Sequence, residues 1–568
     1  MHARFPGRRL ALLSLLGALV GLVAGGAAWL LVHLIAILTN AALFSRWGTT
    51  LPSMTELDRG PRVVIVAAVG GALVSLIARW APIIRGHGIP EAMEAVLVRH
   101  SRVAPRTAVA KPLSAAIAIG TGGPFGAEGP IIVTGGALGS LVGQVIPVSA
   151  SERKILLASG AAAGMAATFG SPLAAVVLAI ELLLFEFSTR ALVPLVVAAA
   201  VAGAVHSLVF ENGPLFAVPA HEFPGLGQLP LYAVLGCACG LLAVGIIRSL
   251  SLVERGYERL PVSPAWHPVI GGAGFALVGL AVPRALGVGY DAIGDVLAGR
   301  LALGALAALA TAKLVTWLLA LASGTSGGTL APILLISGAG GALAGQLLVD
   351  HTPLDFSPAA FALAAMAATF GSASGATFAS VVFVFELTRD YDAVVPLMVA
   401  TVLATLVVRS LSAVTLMSEK LARRGLVVPS DYHADVLASR RVEQVMTRDV
   451  QTLPTTATVG DAVAGFAAGG HSAYPVVDGD GRVVGVVSRG DLVGGEEPEE
   501  STLGELLSGP VAHVGPADTV LAALEQMLEA EVDHLPVVDR HRLVGVCTRT
   551  DVLRARRDAL ALERLVGR

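Results

Sequence analysis

Charged residues, aromatic residues and cysteines are all scarce in this 568-residue chain. Charged residues make up 14% of it and hydrophobic residues 54%. Because soluble domains carry about a quarter charged residues, this balance excludes an ordinary soluble protein. The three cysteines, Cys237, Cys239 and Cys547, are too few for a disulfide framework or a cysteine metal site. The net charge of −3 lacks the positive excess that a nucleic-acid partner requires.

Long apolar runs dominate the sequence instead. Between Leu10 and Phe44 only His33 can carry a charge, and about 20 apolar residues suffice for a helix that crosses a bilayer. This run is too long for a cleavable signal peptide. We therefore expect an integral protein of a prokaryotic-type plasma (inner) membrane, with a polytopic all-α domain over residues 1–420. Further apolar runs lie at 62–78, 107–147, 155–180, 191–210, 229–247, 267–282, 301–349, 357–385 and 391–408.

Basic residues flank this apolar part at both ends. Three arginines at positions 4, 8 and 9 precede the first run, and Lys420, Arg423 and Arg424 follow the last. Short flanking segments rich in Lys and Arg stay on the cytoplasmic side. The sequence thus predicts that both termini are cytoplasmic and that the number of complete crossings is even.

The apolar part is a duplicated unit. The heptapeptide Met-Ala-Ala-Thr-Phe-Gly-Ser occurs at 165–171 and again at 366–372, and at nearly the same offset Lys111 matches Lys313. Duplicated transporters commonly hold their substrate between the two halves, at the N-termini of broken helices. The two lysines either make the interior positive or cap helix ends.

Beyond residue 420 the chain changes to short Val-rich segments, charged helices and turns, again in two copies. The segment Tyr474-Pro475-Val476-Val477-Asp478 of the first copy matches Leu535-Pro536-Val537-Val538-Asp539 of the second. Each copy predicts a small α/β unit with a helix before two strands. We expect a linker at 421–439, a first unit at 440–497, an acidic connection around 494–501 and a second unit at 502–560.

Three Gly/Pro motifs interrupt the apolar runs. Proline suits the first turn of a helix, and the preceding glycines free the backbone to aim N–H groups at a ligand. An anion can lose its water against such N–H groups, helped by the helix dipole. Each motif therefore predicts a helix that starts beside an anion path. The motifs are Gly86-His87-Gly88-Ile89-Pro90, Gly126-Ala127-Glu128-Gly129-Pro130 and Gly327-Gly328-Thr329-Leu330-Ala331-Pro332.

Glu128 is the one carboxylate inside these motifs. An ionised side chain could fill an anion site, and a protonated one could swing away, so that proton binding opens the path. A purely structural role, in which the carboxylate stabilises a helix N-terminus, is the alternative. We predict that Glu128 is a gate.

The motifs, their order and the repeated tail resemble the CLC family of chloride channels and proton-coupled chloride antiporters, over nearly the whole chain. The resemblance implies a homodimer whose subunits each contain two inverted repeats with broken helices, followed by a cytoplasmic α/β pair of CBS domains. Glu128 falls on the gating glutamate of the family. The residues implied to line the anion site are Gly86, His87, Gly88, Ile89, Pro90, Gly126, Ala127, Gly129, Gly328, Thr329, Leu330 and Met417.

Five positions depart from the family pattern. His87 replaces a serine that contacts the anion, Leu330 replaces an aromatic residue, and Met417 stands where a tyrosine is usual. Ala127 replaces an arginine. Leu182 occupies the place of the internal proton-transfer glutamate, which favours a channel-like mode over the alternative, a chloride/proton antiporter. The neighbouring Glu181 is better explained as structural.

The tail resembles a tandem CBS pair, in which a Ser/Thr-x-x-Asp turn can hold the ribose and phosphate of an adenine nucleotide. The candidates here are Ser488 with Asp491 and Thr548 with Asp551, although each Asp could instead cap a helix. Chloride is the expected transported ion, protons are a candidate second substrate, and no cofactor or metal is required.

Two other classes of protein fit the sequence less well. A divalent cation channel with a CBS tail would need converging acidic ligands, but the acids of the apolar part are scattered. An intramembrane enzyme would need a Ser–His pair or paired Asp residues, and no run offers either. The sequence favours anion transport without catalysis.

Overall fold

The computed structural model describes residues 6–210, 213–218, 225–353, 357–426, 428, 437, 440–468, 471–492, 498–507 and 511–566. The chain divides into two compact units, and the division falls between residues 431 and 432. The larger unit is the apolar part and the smaller one is the tail. Most of the predicted linker at 421–439 and half of the acidic connection at 494–501 lie outside the described residues.

The larger unit is helical, as its apolar runs predicted. Its helices are α1 (Pro6–Phe44), α2 (Arg62–Trp80), α3 (Ile89–Val98), α4 (Thr107–Gly120), α5 (Glu128–Val145), α6 (Ala150–Phe169), α7 (Pro172–Ala179), α8 (Thr189–Val209), α9 (Leu229–Glu258), α10 (His267–Ala281), α11 (Tyr290–Leu297), α12 (Leu303–Ala322), α13 (Leu330–His351), α14 (Pro358–Ser374), α15 (Thr377–Thr388), α16 (Val394–Leu411) and α17 (Glu419–Arg423). A π turn over Ile180–Leu184 extends α7, and single 3₁₀ turns lie at Met54–Glu56, Pro82–Ile84, Leu226–Gln228 and Pro283–Ala285.

Among the described residues, seven helices are long and apolar enough to cross a membrane: α1, α2, α8, α9, α12, α13 and α16. Shorter apolar helices alternate with them. The predicted run at 107–147 is two helices, α4 and α5, and the run at 301–349 is likewise α12 and α13. Both interruptions fall at a Gly/Pro motif, so the prediction of broken helices is confirmed.

Glycine allows these helices to touch backbone to backbone. A Cβ atom on Gly135 of α5 would lie 2.1 Å from the carbonyl oxygen of Gly160 on α6, and a Cβ on Gly160 would lie 2.0 Å from the oxygen of Gly135. Small residues drive helix association in lipid because close packing replaces the missing hydrophobic force. This contact explains part of the high glycine content.

Two carboxylates connect the repeats. Glu181, in the π turn that extends α7, accepts the backbone N–H groups of Phe378 and Ala379 at the start of α15, at 3.2 and 3.0 Å. Glu386 on α15 accepts those of Leu173 and Ala174 at the start of α7, at 3.0 and 2.7 Å. Each carboxylate thus satisfies N–H groups that a helix start leaves unpaired. The structural role predicted for Glu181 agrees with this geometry.

The smaller unit contains two α/β copies, each with a helix before two strands, as predicted. In the first, β2 (Ala473–Val477) pairs with β1 (Leu453–Pro454) in parallel and with β3 (Val483–Ser488) in antiparallel. In the second, β4 (His534–Asp539) and β5 (Arg542–Thr548) are antiparallel. The helices are α18 (Val459–Ala468), α19 (Arg489–Leu492), α20 (Leu503–Leu506), α21 (Val520–Glu529) and α22 (Arg549–Val566), with a 3₁₀ turn at Val442–Gln444.

Candidate anion-transport site

The three Gly/Pro motifs meet in the structure. Each one leads into a helix, namely α3 at Ile89, α5 at Glu128 and α13 at Leu330. Gly126 and Gly328 exchange backbone hydrogen bonds of 3.3 and 2.9 Å. Gly86 forms a parallel bridge with Ser326. We call this meeting point of the three helix starts the junction.

Glycine is required at the junction because backbones approach closely there. A Cβ atom on Gly129 would lie 1.9 Å from the carbonyl oxygen of His87, and a Cβ on Gly88 would lie 2.4 Å from the oxygen of Gly129. Gly88 also has φ of +102°, which residues with a Cβ rarely adopt. The glycines that the sequence analysis singled out therefore hold α3 and α5 against each other.

A fourth helix start, that of α11, also reaches the junction. The sequence analysis did not predict it. Its loop, Gly287-Val288-Gly289, leads into Tyr290, and both glycines have positive φ, +63° and +86°. The repeat offset of 201 that relates the two heptapeptides carries the first Gly-x-Gly motif onto this loop. Applying that offset to every motif would have found it.

The two matched lysines perform the same task in each repeat. The Nζ of Lys111 donates to the carbonyl oxygens of Ile84 and Gly86, both at 2.8 Å, in the loop before α3. The Nζ of Lys313 donates to the carbonyl oxygen of Gly287, at 2.7 Å, in the loop before α11. Both ammonium groups are buried and paired with backbone. They fix loop shape and also bring positive charge near the junction.

Glu128 lies at the centre of the junction, with 1% of its surface exposed. The hydroxyl group of Tyr290 donates to its Oε1 at 3.2 Å. Its Oε2 faces the start of α13, since a Cβ atom on Gly328 would lie only 2.7 Å from it. The carboxylate therefore occupies the space between α5, α11 and α13, where helix dipoles favour negative charge.

The other side chains predicted to line the anion site are buried. His87 is 1% exposed, and neither of its ring nitrogens hydrogen-bonds to a described residue. Ala127 and Leu330 flank the starts of α5 and α13, and both are buried. Met417 is fully buried in the turn before α17. Imidazole N–H is thus the polar side-chain donor that the first motif can offer an anion.

A cavity of about 390 Å³ opens beside the start of α3. Five basic side chains and two acidic ones line it, so its wall carries an excess of positive charge that raises the local concentration of anions. The charged lining residues are Arg85, Glu91, Glu94, Arg99, Arg106, Lys420 and Arg424.

Comparison with known proteins gives the family of this arrangement. Residues 67–409 match the sequence model of the voltage gated chloride channel family, and residues 442–495 and 503–558 match that of the CBS domain. The chain belongs to the voltage gated chloride channel (CLC) family. It is accordingly an integral membrane protein for anion transport, with a tandem CBS tail.

Individual CLC relatives agree with this assignment. The H(+)/Cl(−) exchange transporter ClcA of Vibrio campbellii is 30% identical over 426 residues, which cover 72% of this chain and 88% of that protein. A slow cyanobacterial Cl−/H+ antiporter superposes with a TM-score of 0.63 at 23% identity, over 73% of this chain and 98% of the other. A eukaryotic CLC transporter superposes with a TM-score of 0.60 at 19% identity, over 95% of this chain and 97% of the other.

In the CBS pair of this CLC protein, each candidate nucleotide turn lies between a strand and a helix. The hydroxyl of Ser488 donates to Asp491 at 2.8 Å, and the hydroxyl of Thr548 donates to Asp551 at 2.7 Å. Backbone N–H groups of Ser488 and Thr548 donate to the same carboxylates. These bonds are those of a helix cap, and nucleotide binding stays a prediction.

Proposed function

We propose that this CLC protein is a chloride/proton antiporter in which Glu128 binds the transported proton and competes with chloride for the junction. It works as a homodimer whose subunits each have their own path. The observation that carries the proposal is a buried carboxylate at the meeting point of helix starts that favour an anion. The relatives named as H(+)/Cl(−) exchange transporters support coupling to protons.

The mechanism follows from the charge of Glu128. Ionised, its carboxylate accepts the Tyr290 hydroxyl and fills the space to which the helix dipoles point. Protonated, it loses most of that attraction, and a chloride ion takes its place beside His87 and the starts of α5 and α13. Because the carboxylate and chloride exclude each other, movement of one is linked to movement of the other.

Leu182 is the feature that favours a passive channel. The side chain is 3% exposed and cannot carry a proton. The comparisons nevertheless support the antiporter better than the channel-like mode that this leucine suggested, since relatives of about 30% identity are named as exchangers, although others are named as chloride channels. In an antiporter of this sequence, protons reach Glu128 without an acid at position 182.

Proton pumping by a chloride gradient tests the proposal. The full-length protein is reconstituted in liposomes, the voltage is clamped with potassium and valinomycin, and an outward chloride gradient is imposed. We expect protons to move against their own gradient. Chloride flux without proton movement would overturn the antiporter and leave the channel-like mode.

A variant of Glu128 tests its role separately. Glu128→Gln removes the titrating group and keeps the shape, so we expect proton coupling and the pH dependence of chloride flux to disappear while chloride flux continues. Glu258→Gln, at the exposed end of α9, is the matched control and should behave as the wild type. A Glu128→Gln protein with wild-type coupling would contradict the gating role.

A further inference from the structure

Tyr290 is the side chain at the junction to which the sequence assigned no role. It is the first residue of α11, and its hydroxyl donates to the Oε1 of Glu128 at 3.2 Å. A hydrogen bond to an ionised carboxylate is stronger than one to a neutral carboxyl group. The contact therefore distinguishes the two states between which the proposed gate moves.

The structure holds Tyr290 in place from its backbone and from its ring. The loop before it has two positive-φ glycines and is tied to Lys313 Nζ through the carbonyl oxygens of Gly287 and Val288, at 2.7 and 3.5 Å. The ring packs edge-on against Phe169 and Phe216, with centroids 6.2 and 6.1 Å away. A phenol fixed in this way presents its O–H in one direction.

Backbone N–H groups of Glu128 itself and of Ala331, at the start of α13, also interact with the carboxylate. Two other polar side chains lie near it. Lys313 on α12 adds attraction from a distance, and its ammonium group is engaged by backbone oxygens and lies near Asp291. His87, in the loop before α3, reaches the same junction through the backbone of Gly129. Tyr290 is the side chain that donates a hydrogen bond directly to the carboxylate.

We propose that Tyr290 is a positioning residue that holds ionised Glu128 in the junction and releases it when the carboxylate is protonated. This inference rests on the proposed function, because it assumes that Glu128 titrates during transport. The hydroxyl stabilises the closed, ionised state. Its strength therefore sets the proton concentration at which the path opens.

Tyr290→Phe removes the hydroxyl and keeps the ring. We expect the pH of half-maximal chloride flux to move up by about one unit, because the carboxylate then binds a proton at a lower proton concentration. One unit corresponds to about 1.4 kcal/mol. This is at the lower end for a hydrogen bond to a charged group, as suits a contact of 3.2 Å, which is long for an O–H donor.

Replacement of Tyr290 by 3-fluorotyrosine gives a second variant that changes the size of the residue very little. Fluorine makes the phenol a stronger donor, so the half-maximal pH should move down. Two shifts of opposite sign cannot arise from a general loss of folding. This pair of variants keeps the proposal testable even where Tyr290→Phe lowers the yield of folded protein.

Tyr232→Phe is the matched control. Tyr232 is 1% exposed, packs against Phe361, and its hydroxyl hydrogen-bonds to no described residue. The same atom is removed there without breaking a hydrogen bond to Glu128, so the pH profile should stay that of the wild type.

A Glu128→Gln background separates this proposal from the proposed function. If Glu128→Gln keeps the wild-type pH dependence, the gating role itself fails. If Glu128→Gln loses it but Tyr290→Phe leaves the half-maximal pH unchanged, only the role of Tyr290 fails. We expect Tyr290→Phe to add no shift once Glu128 is replaced, and an equal shift in both backgrounds would also overturn the inference.

Discussion

Gly129→Ala offers a direct test of the junction geometry. The new Cβ atom would lie 1.9 Å from the carbonyl oxygen of His87, whereas ordinary contacts begin at 3.4 Å. Since 3.4 minus 1.9 is 1.5, backbone would have to move by 1.5 Å. Both sides of this contact are tied to the loop before α13, the start of α5 through the Gly126–Gly328 hydrogen bonds and the loop before α3 through the Gly86–Ser326 bridge, so little room is left for this movement.

The size of the effect follows from this clash. Overpacking of a well-packed interior costs about 1–3 kcal/mol, and we expect the upper end because the obstructing atoms are backbone. The backbone conformation itself is acceptable to alanine, as Gly129 is a helical residue without positive φ. The cost is therefore steric, and it falls on the contact between α3 and α5.

The assay combines thermal unfolding in detergent with chloride flux in liposomes. We expect a lower unfolding temperature and a loss of flux of more than tenfold. Gly136→Ala, on the same helix, is the control, because its Cβ would meet nothing nearer than the Leu157 oxygen at 3.5 Å. That change should be neutral, or stabilising by up to about 1 kcal/mol through helix propensity. Wild-type flux and unfolding temperature in Gly129→Ala would refute the close approach.

Two further predictions concern other parts of the chain. Glu386→Ala removes the acceptor for two N–H groups at the start of α7 and should lower the free energy of unfolding by about 1–2 kcal/mol, measured by thermal unfolding. The control Glu258→Ala should be neutral. Equal stability of both variants would contradict the capping role of Glu386. In the CBS pair, the Nε2 of His534 lies 2.9 Å from Ser472 Oγ, and burial lowers the pKa of this histidine. The unfolded tail therefore binds a proton more readily than the folded one. The stability of the pair should fall as the pH drops below about 6.5. Hydrogen exchange of β4 and β5 in the full-length protein should show this fall, and His534→Gln should reduce it; an unchanged fall in the variant would assign it to other groups.

The sequence predicted the helical fold and the helix starts at the three motifs, because both depend on local pattern. Apolar runs of sufficient length predict membrane helices, and Gly/Pro interruptions predict where those helices restart. The heptapeptide repeat predicted the duplication. The α/β tail follows from two Val-rich segments after a helix, and the structure has that order in both copies.

What the sequence could not predict was which groups meet. The reciprocal contacts of Glu181 and Glu386 join atoms that lie about 200 residues apart, and no local signal selects those partners. Tyr290 is a different case, since the repeat offset carries the first motif onto its loop. The preference for a channel-like mode rested on Leu182 alone. One apolar residue shows where a proton cannot bind, but it does not exclude another route for protons to Glu128.

The reciprocal carboxylates have a consequence for how the protein is made. The start of α7 obtains its acceptor, Glu386, from a helix more than 200 residues further along the chain. The first half is therefore synthesised before the acceptor of these helix N–H groups exists. A protein with a single repeat would lack this acceptor in its own chain, and a second copy of itself could supply it, since the two contacts are reciprocal.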